Sequence, residues 1–205
     1  LLSACAVALL MAVTNKLCLD VASLPFLWVL PLSIYLVSFI LCFASERLYS
    51  RSLCIGAASA GLVLQYGIAE FLPAAETGAP LFNSLPLQIS VFCFILFGIC
   101  MLMHGELYRL RPASDRLTFF YLAVSGGGAL GGLFVGLVAP SVFSDYFELP
   151  IAFVLAGVLM LWVLGRDEES RLYVGGPRWR IFTMVAASVS LIGYVAVQAF
   201  SDAPF

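Results

Sequence analysis

Three groups of residues have types and spacing that could do chemistry. The octet SGGGALGG (Ser125–Gly132) carries G-x-G-x-x-G at Gly126, Gly128 and Gly131. Between a strand and a helix, that spacing lets backbone N–H groups close on a pyrophosphate, and an acid about 20 residues on holds the ribose. Asp145 falls near that distance. The second group is His104-Gly105-Glu106, followed by Arg109 and Arg111. A lone imidazole can ligate a haem or chlorophyll, which makes His104 a weak cofactor candidate. The simpler expectation is an interfacial histidine paired with Glu106 or a loop carboxylate, with Glu106 and Arg109 in i,i+3 relation if the helix continues. The third group is Thr14-Asn15-Lys16-Leu17-Cys18-Leu19-Asp20. Polar residues between apolar runs mark a binding site or satisfy a broken helix end, and a Lys16–Asp20 i,i+4 pair is the simplest structural explanation.

Two further features complete the inventory. Glu70, with Gln65 near the end of an apolar run, is the deepest acid and the best candidate for a proton or cation contact; snorkelling to the interface is the structural alternative. The six cysteines form no C-x-x-C pair, and with a single histidine in the chain a zinc or iron–sulfur site has little to work with. They read as small buried hydrophobes, so neither a metal nor a resident cofactor is expected.

The elements that must position these groups are apolar. Of 205 residues, 62% are hydrophobic and 11% charged, with mean hydropathy +1.06, far too little charge for a soluble surface. The fold class expected is all-α, a polytopic membrane helical bundle of about seven spans in one domain. The spans read as Leu1–Val13 (short, the clipped end of a first helix in a longer protein), Leu24–Phe43, Ser52–Leu72, Leu85–Met103, Leu117–Ala139, Leu149–Gly165 and Ile181–Phe200. Pro31 inside the second run predicts a kink, and Pro140 closes the fifth.

Nine of the ten Lys and Arg fall in the second, fourth and sixth loops. The positive-inside bias then places those loops in the cytoplasm and Phe205 outside. Trp28, Tyr49, Tyr108, Tyr146, Tyr173 and Trp179 lie near span ends, as interfacial anchors do. With a net charge of −2 and no basic patch matched to phosphates, nucleic acid is excluded as a partner; the partners expected are the lipid bilayer and other membrane subunits, with bound lipid or pigment a further option.

This placement also decides the glycine octet. Leu133–Ala139 continues the apolar run, so Asp145 would sit across the bilayer from the glycines. Gly127/Gly131, Gly128/Gly132 and Gly132/Gly136 are instead small-x-x-x-small pairs, which let a neighbouring backbone approach closely.

Two stretches, Thr14-Asn15 with DVASLPFLWVLPLSIYLVSFILCF (Asp20–Phe43) and MHGELYRLRPASDRLTFFYLAVSGGGALGGLFVGLVAPSVF (Met103–Phe143), resemble the membrane domain of bacterial spermidine synthase-like fusion proteins. The likeness extends to about residue 165. It implies a multi-span domain, sometimes labelled transporter-like, in the bacterial inner membrane, preceding a soluble domain similar to aminopropyl- or methyltransferases. No such soluble domain occurs in these 205 residues, so the family's catalytic residues are not carried over. With Phe205 outside, a cytoplasmic transferase domain would need one more span after it. The matched positions Thr14, Asn15, Asp20, His104, Glu106, Arg109, Arg111 and Gly126–Gly132 are where the membrane domain's role is expected.

The function expected is therefore that of a non-catalytic anchor or scaffold, or an accessory subunit of a respiratory or photosynthetic complex. A small-molecule or polyamine transporter is the alternative; it wants acids within the spans, and the sequence offers Glu70 and the cluster at Asp20. A membrane-embedded enzyme lacks a nucleophile–base pair or a metal cluster.

Overall fold

The computed structural model describes residues 1–21, 26–45, 48–62, 85–142 and 148–166. Among them the ordered elements are all helical. They are α1 (Leu2–Asn15), continued by a π turn over Lys16–Val21; α2 (Val29–Ala44); α3 (Arg51–Leu62); α4 (Leu85–Arg109); α5 (Leu117–Leu133), continued by a π segment Phe134–Val138 and a last turn Ala139–Val142; and α6 (Glu148–Arg166). Three helical stretches are long and apolar enough to cross a membrane: Leu2–Leu19, Leu85–Arg109 and Ser114–Val142. The expected run Ile181–Phe200, the second half of Ser52–Leu72, and Glu70 lie outside the described residues.

Four features differ from the expectation. Thr14 and Asn15 are helical rather than part of a loop, and the Thr14 hydroxyl finds its acceptor within the helix, donating to the Leu10 carbonyl one turn back at 2.7 Å. The first helix therefore reaches spanning length, where the apolar run alone looked too short. Pro31 causes no mid-helix break: α2 begins at Val29, which puts Pro31 in the first turn, where a missing N–H costs no intrahelical bond. Helix α4 runs six residues past Met103, so His104, Gly105 and Glu106 sit inside it. Pro140 does not end its helix either. In a regular helix its ring would meet the Gly136 carbonyl; the π segment, closed by Ala139 N–H to Phe134 O, widens the ladder just ahead of it.

Helix α4 is the hub of the bundle. Ten consecutive residues, Gly98–Leu107, are buried, which a helix can achieve only when packed on several sides. The apolar cluster around it draws on α1, α3 and α6, including Leu9, Val13, Ala58, Ile95, Leu96 and Phe153. Helices α2 and α4 run parallel, with Phe39 against His104 and Phe43 against Tyr108. Helix α3 runs antiparallel to α4: Arg51 meets Glu106, while further along Ala58 backs Gly98 and Gly61 meets Ile95. Helix α5 shows most of its side chains to the outside, with Phe119 75%, Leu122 67%, Leu130 66% and Leu137 67% exposed. Large apolar groups outside and Ser38, His104 and Glu106 buried inside is the reverse of a soluble domain, and fits a hydrocarbon surround.

Candidate functional site

The glycine octet lies in the interior of α5, with no strand before it among the described residues, so the geometry of a dinucleotide turn is missing. Its glycines form a seam with α1, which runs parallel to α5. A Cβ at Gly131 would strike the Ala4 carbonyl, so the two backbones are in direct contact there. A Cβ at Gly128 would lie 3.3 Å from Val7, and one at Gly127 3.4 Å from Ser3. At Gly132 and Gly136 it would stand 3.6 and 3.7 Å from Met11. Beside the seam, the Ser3 hydroxyl donates to the Val124 carbonyl at 2.6 Å, an interhelical bond of the kind that holds close-packed spans. Gly126 has nothing within 4 Å and belongs to the outer face.

At one end of α4 two polar constellations stand on different faces. The first is built on Glu106, whose side chain is 3% exposed. Arg51 Nε donates to Oε1 and its terminal amine to Oε2, both at 2.6 Å, a bidentate fork that matches guanidinium to carboxylate. The Tyr49 hydroxyl donates to the same Oε1 at 2.6 Å. Gly105 makes room for this: a Cβ there would run into the Tyr49 ring. Burial first, and then the bond to Glu106, hold the Tyr49 phenol well above its ordinary ionisation range.

The second constellation is built on His104, 1% exposed. Its Nδ1 is 3.0 Å from Ser38 Oγ, and the Ser38 hydroxyl donates to the Tyr35 carbonyl at 2.7 Å. A hydroxyl has one proton. With that proton on the Tyr35 carbonyl, Nδ1–H donates to Ser38, which leaves Nε2 as the unprotonated nitrogen. Nε2 is buried with no hydrogen-bond partner. The Tyr35 and Phe39 rings stand nearly perpendicular to the imidazole, with centroids at 4.8 and 5.2 Å. A haem or pigment ligand needs open space at the ligating nitrogen; here both the ring and Nε2 are closed in.

The candidate residues thus separate. His104 is buried within the bundle, and its partner is Ser38 rather than a carboxylate, because α2 packs directly on that face of α4. Glu106 is held by Arg51 and Tyr49, which are distant in sequence. Tyr49 turns its hydroxyl to that carboxylate. Arg109 closes the last turn of α4, where a cation complements the helix dipole, and Arg111 lies over the Tyr108 ring at 4.6 Å. Thr14 and Asn15 end α1, and Lys16 and Asp20 share the π turn that follows, far along α1 from the seam's Ser3 and Ala4. Among the described residues no cluster of three or more His, Cys, Asp or Glu could hold a metal ion.

The sequence reading missed Arg51, Tyr49, Ser38 and Tyr35 as members of these sites. A signal for the first two existed: Arg51 opens an apolar run and Glu106 closes the next, so the two fall at the same end of neighbouring antiparallel helices. Ser38 had none, being one serine in an apolar run.

Searches against protein-family models, curated proteins and solved structures find no match to this chain.

Proposed function

We propose that the chain is a non-catalytic membrane scaffold: the seven-span membrane domain of a spermidine synthase-like protein, or an accessory subunit of a larger respiratory or photosynthetic assembly. It resides in the bacterial inner membrane, with the second, fourth and sixth loops cytoplasmic and Phe205 outside. The observation that carries the reading is the division of labour within the bundle. The buried acid Glu106 is consumed by Arg51 and Tyr49, which leaves no bare carboxylate on this face of α4 to receive a cation. Helix α5, meanwhile, spends its small residues on α1 and turns a continuous apolar face outward. A helix so exposed suits contact with lipid and with neighbouring subunits.

Two measurements test it. Gentle detergent extraction of the native membrane followed by native mass spectrometry is expected to recover the chain with other membrane subunits, or with a covalently continuous transferase domain. Polyamine uptake into proteoliposomes is expected to stay at the level of empty vesicles. Uptake that is present in the wild type and abolished by Glu70→Gln or Asp20→Asn overturns the scaffold reading in favour of a transporter.

A further inference from the structure

The turn between α4 and α5 carries a chemistry that neither constellation uses. Eight residues, Arg109–Arg116, hold three arginines against one acid, Asp115. Arg109, Arg111 and Arg116 are exposed. The turn joins two stretches long enough to cross a membrane, so it sits at the level of the headgroups. One of its arginines is held in place by a ring. The Arg111 guanidinium carbon lies 4.6 Å from the centre of the Tyr108 ring, and Tyr108 packs edge-on against Phe43 at 5.4 Å. A cation–π contact of this kind holds a guanidinium in place without using its N–H donors on an acceptor. Arg116 Nε is 3.5 Å from Asp115 Oδ2, with both side chains more than two-thirds exposed, a contact too solvated to consume the charge. Around these cations stand exposed apolar groups, Leu110 (61%) and Phe119 (75%). A free phosphate would have no use for them, whereas a bilayer takes both: apolar groups among the acyl chains and guanidinium at the phosphates.

We propose that the α4–α5 turn is a docking surface for anionic phospholipid headgroups, with Arg111 and Arg116 as its phosphate-binding cations. The proposal rests on the membrane reading. It adds that this end of the bundle selects lipid by charge, so that anionic lipid stays with the protein where zwitterionic lipid exchanges.

The test uses the full chain in micelles doped with phosphatidylglycerol or phosphatidylcholine, with lipid retention read by native mass spectrometry. Wild type is expected to keep phosphatidylglycerol preferentially, and less of it as salt rises. The double variant Arg111→Ala/Arg116→Ala is expected to lose about thirty-fold in that preference, which is roughly 2 kcal/mol at about 1 kcal/mol per arginine. Arg111→Lys/Arg116→Lys is expected to keep most of it, which separates a charge effect from misfolding. Equal retention of the two lipids by wild type overturns the proposal, as does full retention by the alanine variant. So does competition by millimolar inorganic phosphate, which would make the ligand a free anion. A parallel reconstitution into vesicles of either lipid separates the two readings: wild-type protein that fails to enter vesicles of both compositions overturns the membrane reading itself, a result distinct from a lost preference in micelles.

Discussion

Arg51 and Glu106, 55 residues apart in sequence, meet in a two-pronged ion pair with both contacts at 2.6 Å. The pair fastens the start of α3 to the last turns of α4. It also explains why α4 continues through Glu106: the carboxylate is neutralised at once and accepts a third hydrogen bond from Tyr49.

Removing one partner of this pair leaves a buried charge uncompensated. Glu106→Gln and Arg51→Met are each expected to destabilise the bundle by roughly 3 kcal/mol, whereas the double substitution should cost less than the sum of the two. Thermal unfolding of the singles and the double in detergent measures the coupling. Additive losses would show that the pair contributes nothing as a unit.

The glycine seam predicts a contrast within one octet. Gly131→Ala drives a Cβ into the Ala4 backbone, where neither side can yield without separating α1 from α5, and should cost about 1–3 kcal/mol. Gly126→Ala meets open space and should be neutral or stabilising by up to about 1 kcal/mol through helix propensity. Midpoint temperatures of the two variants decide the matter; equal effects would remove the α1–α5 contact from the account.

Tyr49 supplies a pH dependence. Its phenol ionises only well above the ordinary tyrosine value of about 10, because burial and Glu106 oppose the phenolate. A group whose folded pKa is raised contributes stability in full below the unfolded pKa, and that stability is lost as pH rises past it. Unfolding midpoints should therefore fall as pH climbs above about 10. In Tyr49→Phe the fall should be shallower, with a constant loss at neutral pH from the missing bond to Glu106.

The His104–Ser38 contact predicts an asymmetry of another kind. Ser38→Ala leaves Nδ1 as unpartnered as Nε2 already is, at a cost of about 1–3 kcal/mol. Ser38→Ala combined with His104→Phe removes every polar atom in question and places an aromatic ring beside Tyr35 and Phe39. The double variant should recover most of the loss. A double variant no more stable than Ser38→Ala would mean that imidazole is needed for more than packing.

Orientation is testable from outside. Single cysteines at 76 and 170, in an otherwise cysteine-free chain, should label from opposite sides, with 76 reached from the periplasmic face and 170 from the cytoplasm. Equal access at both positions sinks the alternating topology.

Composition and periodicity carried the helical class, the start of α4, the placement of α5 and α6 to within a few residues, and the glycines' place on a face that packs. These are properties of a chain segment alone: an apolar run of spanning length has to satisfy its backbone internally, and glycines four apart share a face whatever they touch. What the glycines touch was not legible. Ala4 and Met11 lie more than 100 residues away, and only packing brings them to α5. The same holds for Glu106, whose nearest cation in sequence was Arg109. The structure gives it Arg51, because two antiparallel helices place their ends together. His104 was expected to pair with a carboxylate, and meets Ser38 because α2 covers that face of α4. Sequence determined which residues could pay no penalty in a membrane; tertiary structure decided which polar groups meet, since that depends on helix neighbours and direction rather than on the order of residues along any one helix.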